Sequence, residues 1–483
     1  MSQSNVKKNF LYNLVYQALV VIIPLITSPY LTRTIGSDSL GFYTFSFTFA
    51  NYFVLFILLG INNYGVREIA KVRDDKELRS KIFWEIYVFQ LIMLFVVVSV
   101  YIASILLFVK EKPYLYWIQL LYVVSAGLDV NWCCFGLEKF KLTVTRNCII
   151  KILSAVLIFV LVKDSSDLWK YTLLIAGSTL ISQIVIWPFL LKSINRVKPS
   201  SVGVKRHIKP NIKLFLPVIA VSLYRLMDKL MLGIIDTKRE VAFYTYAERF
   251  IEIPGVVISA LGTVMLPRTS NMISSGQSEQ SRKLLARSMQ FAMLFSIGAA
   301  CGIAAISNIF IPWYYGADFK RCALFAIWLS PVTILTSWNN VIRTQFVIPT
   351  HRDSVYLTTV SVGAVVNVVM NLILIPFLDG IGAVIGTIIA QLMVCITQYL
   401  LTRKALSYQP FKTDTIAFSI LGIAMMCVVY TFPAISNSVV VTIGVKTLVG
   451  IILYGSLSLF YLLKIRKDRS LVNSVVHIFV RNK

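Results

Sequence analysis

The chain has 483 residues, of which 57% are hydrophobic and only 14% charged, and its mean hydropathy is +0.75. A soluble domain needs a more highly charged surface than this, so the composition excludes a soluble globular protein. Lys and Arg number 47 against 22 Asp and Glu, a net charge of +25; in so apolar a chain the excess marks loops flanking a membrane and not a nucleic-acid surface, and no nucleic-acid partner is expected.

Apolar runs recur along the whole length, each long enough to cross a hydrocarbon core of roughly 30 Å. In chain order they predict helices over 9–33, 41–63, 82–109, 114–137, 143–162, 168–191, 210–235, 242–267, 288–312, 323–347, 355–378, 381–402, 414–434 and 438–463. The fold class is therefore an all-α polytopic membrane protein with about 14 transmembrane helices. The first run is too long for a signal-peptide core and no cleavage site follows it, so it is expected to remain as the first span. Pro433 marks the turn before the last span, which carries Lys446.

Basic residues set the orientation. With the N-terminus in the cytoplasm, cytoplasmic segments hold 32 Lys and Arg, the opposite side holds 9, and 6 lie within spans. Both termini are then cytoplasmic. The external loops run to about ten residues and the longest cytoplasmic loop to about twenty. Neither leaves room for a catalytic domain, which weighs against an enzyme. The seven cysteines show no metal-ligand spacing, so no metal or cofactor is expected. His207, His351 and His477 fall in cytoplasmic loops or the tail.

An internal repeat is visible. Phe42-Tyr43-Thr44-Phe45 opens the second span and Phe243-Tyr244-Thr245-Tyr246 opens the eighth, an offset of 201, and Arg67 and Arg268 follow those spans at the same offset. Six helices separate the copies, so both enter the membrane in the same direction, as in a parallel repeat with a pseudo-two-fold axis along the membrane normal. This predicts a six-helix bundle over 1–200, a second over 201–402, and two extra helices with a basic tail over 403–483, with a substrate site between the two bundles.

Charges inside spans carry the functional argument. One at mid-bilayer costs about 2.5–3.5 kcal/mol on insertion scales, so it is usually paired or functional. Arg225, Asp228 and Lys229 lie at i, i+3 and i+4 and share one helix face. The eighth span carries Glu248, Arg249 and Glu252, where a desolvated carboxylate could hold a proton or pair with Arg225 or Lys229. Asp129 and Lys151 either pair across the fourth and fifth spans, or Lys151 faces a cavity. Arg343 lies near Asn339, Asn340 and Gln345. Asn367, Asn371, Gln391 and Gln398 read as interhelical packing amides. The embedded charge is net positive, which suits an anionic ligand, and Arg suits phosphate through its planar fork of donors.

At these positions the sequence resembles the oligosaccharide flippases of O-antigen and capsule assembly, within the multidrug/oligosaccharidyl-lipid/polysaccharide exporter superfamily. The resemblance covers most of residues 5–410. It is carried by Leu31-Thr32-Arg33-Thr34-Ile35-Gly36 with Gly41-Phe42-Tyr43, by Gly60-Ile61-Asn62-Asn63-Tyr64-Gly65-Val66-Arg67-Glu68-Ile69-Ala70, and by Asp129-Val130-Asn131-Trp132 with Phe135-Gly136-Leu137-Glu138-Lys139-Phe140. Asp228-Lys229, Tyr244-Thr245-Tyr246-Ala247-Glu248 and Leu266-Pro267-Arg268 complete it.

The resemblance implies a bacterial inner-membrane transporter that flips undecaprenyl-pyrophosphate-linked oligosaccharide outward by alternating access. The expected substrate contacts are Arg225, Lys229, Arg249, Lys151 and Arg343; the expected ion-coupling carboxylates are Asp228, Glu248, Glu252 and Asp129, for H+ or Na+. Membrane lipid is a further partner, and a monomer working beside polysaccharide assembly proteins is expected. A multidrug exporter of the same superfamily should carry a carboxylate-dominated cavity. A lipid-II-type flippase shares the phosphate logic. A membrane polysaccharide polymerase would need a large external loop.

Overall fold

The computed structural model describes residues 3–466. Fifteen α-helices follow one another in this stretch: α1 (Gln3–Ile35), α2 (Ser37–Leu58), α3 (Ile61–Lys71), α4 (Lys76–Phe108), α5 (Pro113–Gly127), α6 (Asn131–Gly136), α7 (Phe140–Leu161), α8 (Leu168–Leu191), α9 (Ser201–Ile235), α10 (Lys238–Ser274), α11 (Ser278–Tyr315), α12 (Lys320–Ile342), α13 (Asp353–Thr402), α14 (Gln409–Thr431) and α15 (Val439–Phe460). No strand occurs among the described residues. This is the outcome a bilayer demands, because a helix satisfies its backbone hydrogen bonds within one segment.

Among the described residues, twelve segments are long and apolar enough to cross a membrane. Two helices account for the difference from the expected count. α13 has 50 residues, about 75 Å at 1.5 Å per residue, more than twice the hydrocarbon thickness. It breaks at Asp379, whose φ of 52° and ψ of −139° are not helical, and the expected spans 355–378 and 381–402 lie on either side of that break. α9 has 35 residues, and Arg225, Asp228 and Lys229 interrupt its apolar run.

Two expected spans are internally broken. Between α2 and α3 the chain turns at Leu59, with φ 43°, and Gly60. A Cβ on Gly60 would stand 2.6 Å from the Asn211 carbonyl oxygen, so only glycine admits α9 this close. α5 and α6 are separated at Leu128–Val130, the segment that holds Asp129.

The chain divides into two compact units, Met1–Leu230 and Met231–Lys483. In the first, a core of Ile61, Phe83, Ile86 and Trp132 joins α3, α4 and α6 with the end of α8. Gly65 lies flat on Trp132, where a Cβ would come within 2.5 Å of the indole. In the second, Met289, Met293, Ile342, Phe411 and Phe418 join α11, α12 and α14. The last two helices are built into this core. Tyr454 on α15 donates to the Leu294 carbonyl at 2.9 Å. Lys446 Nζ donates to the carbonyls of Val429 at 2.9 Å and Tyr430 at 3.1 Å. That embedded lysine is thus a cap for the C-terminus of α14, where orphan carbonyls favour a cation.

The offset of 201 recurs in two helix starts. α2 begins at Ser37 and α10 at Lys238, and Tyr43-Thr44-Phe45 in one and Phe243-Tyr244-Thr245-Tyr246 in the other are buried about one turn later. Tyr244 spends its hydroxyl on Thr387 Oγ1 of α13, 2.9 Å away.

Candidate functional site

In the first unit α9 carries Arg225 exposed, Lys229 half-buried and Asp228 buried. Arg225 stands ten residues before the end of α9, about 15 Å along the axis, near the middle of a ~30 Å core. None of these three side chains is isolated. In the second unit α10 carries Arg249 and Glu252 exposed and Glu248 half-buried. Arg249 lies over the ring of Tyr246, 5.1 Å from its centroid. A charge left uncovered by protein at this depth must meet water or lipid, and lipid is the costly choice. These faces of α9 and α10 are therefore suited to line aqueous space, each within its own unit.

Among the described residues Asp129 does not pair with Lys151. It accepts hydrogen bonds from the Asn131 backbone N–H at 2.9 Å and from Asn131 Nδ2 at 2.7 Å. Asn131 Oδ1 in turn accepts from Arg146 Nη2 at 2.9 Å. Arg146 also donates to Asn147 Oδ1 at 2.8 Å, and Ser182 and Gln183 of α8 close the network. Lys151 lies 5.8 Å over the ring of Tyr16 instead. Arg146, counted with the cytoplasmic cations although the expected helix over 143–162 includes it, is buried on α7. The available signal was the Arg146-Asn147 pair opening an apolar run.

Arg343 is half-buried, 5.6 Å over the Tyr356 ring, at the start of a π-helical turn, Arg343–Val347. The surrounding amides tie α12 to α13: Asn339 Nδ2 donates to Gln391 Oε1 at 3.5 Å, and Gln398 Nε2 to the Asn339 carbonyl at 3.4 Å. Asn371 donates to Asn367 Oδ1 at 3.4 Å within α13. These amides act as helix-packing bonds.

Sequence reasoning missed a buried cluster in the first unit. Glu85 on α4 is fully buried and receives Arg206 Nη2 at 2.6 Å. His207 Nε2 lies 3.2 Å from the same oxygen, and Tyr64 Oη lies 2.7 Å from His207 Nδ1. The neutral tautomer with its proton on Nε2 donates to the carboxylate and leaves Nδ1 to accept from the tyrosine. Burial holds the imidazole below its ordinary pKa, against the opposing pull of Glu85. His207 sits in the first turns of α9 and is buried, not in a loop. His351 occupies a turn at φ 55°, and His477 lies outside the described residues.

At the other end of α9, in the second unit, Asp236 is pushed above the usual carboxylate range by burial and by Asp379. Nearby, Arg321 pairs with Glu240 at 2.9 Å and approaches Asp379 at 3.9 Å. Arg239 pairs with Asp318.

The family model for "Polysaccharide biosynthesis protein" matches residues 6–273, more than half of the chain. The chain belongs to this family. It is 21% identical over 407 residues to a protein described as an O-antigen transporter of Escherichia coli (strain K12), covering 83% of this chain and 97% of that protein. A shorter match, 23% identical over 185 residues, joins 37% of this chain to 34% of the lipid II flippase MurJ of Bacillus subtilis (strain 168). Among solved structures, lipid II flippase MurJ in its inward closed conformation superposes with a TM-score of 0.71 at 15% identity, over 94% of this chain and 99% of that one. An inward-facing multidrug resistance MATE transporter superposes with a TM-score of 0.61 at 16% identity, over 82% and 96%. The fold is that of the multidrug/oligosaccharidyl-lipid/polysaccharide exporter superfamily, and this family member is a multi-pass membrane transporter of the flippase kind.

Proposed function

We propose that the chain translocates undecaprenyl-pyrophosphate-linked oligosaccharide repeat units from the cytoplasmic to the outer face of a bacterial inner membrane, with both termini in the cytoplasm. The observation that carries this reading is the exposure of a cation well inside each of two long helices, Arg225 on α9 of the first unit and Arg249 on α10 of the second. A guanidinium there offers a planar fork to a phosphate that must itself leave the headgroup region. The O-antigen transporters among the relatives support a glycan-bearing lipid as the cargo. Lys229 assists as a point charge, and Lys151 and Arg343 are weaker contacts, each already lying over a ring.

Transport proceeds by alternating access. Asp228, Glu248 and Glu252 are the carboxylates through which an H+ or Na+ gradient couples, with Asp129 acting through its bond to Asn131. In cells, removing the protein should abolish the surface glycan while lipid-linked units accumulate on the cytoplasmic leaflet. Loss of the protein with surface glycan intact would defeat the proposal.

A further inference from the structure

The second unit holds a concave site of about 430 Å³ whose lining includes Arg282, Lys283 and Arg287 of α11 and Arg466 beyond α15. Two acids also line it, and both are already engaged. Asp414 is buried and receives Arg466 Nε at 3.2 Å, Tyr461 Oη at 2.9 Å and Gln290 Nε2 at 2.9 Å. Glu279 takes Lys283 at 2.8 Å. Among the described residues, Arg282 and Arg287 face no carboxylate at ion-pair distance, and both are exposed. The pocket therefore has two guanidinium groups to offer an anion. Its floor is apolar, formed by Leu285, Leu406 and Phe411.

Depth decides which anion reaches it. α11 has 38 residues, about 57 Å long, so its first turns project well beyond a ~30 Å core and stand at headgroup level. The charge bias puts this end on the cytoplasmic side.

We propose that this pocket binds the headgroup of an anionic glycerophospholipid, with its phosphate taken by Arg282 and Arg287. Basic pockets between membrane helices recognise phosphate-bearing headgroups in this way. A soluble phosphate offers the same guanidiniums the same oxygens but is not held at headgroup depth. The site stands on residues distinct from the transport contacts, so its failure leaves the transport reading untouched, and the reverse also holds.

The test is native mass spectrometry of the full chain in neutral detergent, titrated with phosphatidylglycerol or phosphatidylcholine. Phosphatidylglycerol should be retained in preference. Arg282→Gln/Arg287→Gln should weaken its binding about 30-fold, while Arg403→Gln/Lys404→Gln, an equal charge loss outside the pocket, should leave it unchanged. The single change Arg282→Gln should weaken it about fivefold and serves if the double variant does not fold. Equal retention by wild type and the pocket variants would overturn the proposal, as would an equal loss in the control. Displacement of phosphatidylglycerol by millimolar inorganic phosphate would assign the pocket to a free anion, and tighter retention of a short-chain polyprenyl pyrophosphate would assign it to the cargo; either result overturns the phospholipid.

Discussion

Arg206 Nη2 lies 2.6 Å from Glu85 Oε2, joining the first turns of α9 to a carboxylate that is completely buried on α4. The arginine is about half exposed, so its stem reaches inward while part of its fork meets water. Removing it strands the buried acid with His207 as the remaining partner. Arg206→Ala should therefore lower stability by about 1–3 kcal/mol, read as a drop in the thermal midpoint of the purified protein. Arg196→Ala, an exposed basic site nearby in sequence, should leave the midpoint unchanged. Equal effects of the two would show that Glu85 does not depend on the pair.

His207 gives that cluster a pH dependence of definite sign. Its folded pKa is lowered by burial, so the folded state disfavours the imidazolium. Stability from the neutral ring is fully present above the ordinary value of about 6.5 and is lost as pH falls through the lowered folded pKa. Tyr64, Glu68, Arg206 and Glu85 are the charged or titratable groups acting on it. The thermal midpoint should fall between about pH 7.5 and pH 5, and His207→Gln should flatten that fall. An unchanged slope in the variant would assign the pH response elsewhere.

Arg146 and Lys151 lie five residues apart on α7 but should behave differently. Arg146 is held in a network through Asn131, Asn147 and Asp129, so Arg146→Leu should reduce folded protein by breaking buried polar bonds, at about 1–3 kcal/mol. Lys151 stands over Tyr16, and Lys151→Gln should fold normally and lower transport only modestly. Fluorescence-detected size exclusion with a surface-glycan readout separates the two. Normal folding of Arg146→Leu would contradict the structural role.

Charge sign at α9 separates a phosphate contact from a folding pair. Arg225→Lys should lose part of the transport, since a fork becomes a point charge, whereas Lys229→Arg should retain most of it. Glutamate at either position should abolish transport in folded protein, by repelling phosphate and adding a second acid beside Asp228. Reversing Arg225 together with Asp228, which shares its helix face, provides the control. Restored folding without restored transport is expected; full recovery of transport would make the charge structural.

The sequence made the membrane architecture legible because apolar run length is a direct consequence of bilayer thickness. The break near Asp379 could be read from the two expected spans that flank it. The turns at Leu59–Gly60 and Leu128–Val130 could not, because both sit inside apolar stretches and are fixed by what packs on them: Asn211 on Gly60, Asn131 on Asp129. His207 reads as a loop residue and Arg146 counts with the cytoplasmic cations because charge counting assigns a side from loops and helix ends alone, and their burial depends on Glu85 and Asn131, which are distant in sequence or lie across a turn. Lys446 shows the opposite case, a charge marked as embedded whose role is to cap the carbonyl end of α14.

The most direct test of the transport proposal uses the purified chain in proteoliposomes loaded with a short-chain polyprenyl-pyrophosphate oligosaccharide, with leaflet exposure read by an impermeant glycosidase. Wild-type protein should accelerate exposure of the inner-leaflet sugar over empty vesicles, Lys229→Arg should retain most of the acceleration, and Arg225→Glu should remove it with the protein still folded. An oligosaccharide exposure rate equal to that of empty vesicles, in a preparation that moves an organic cation instead, would contradict the account.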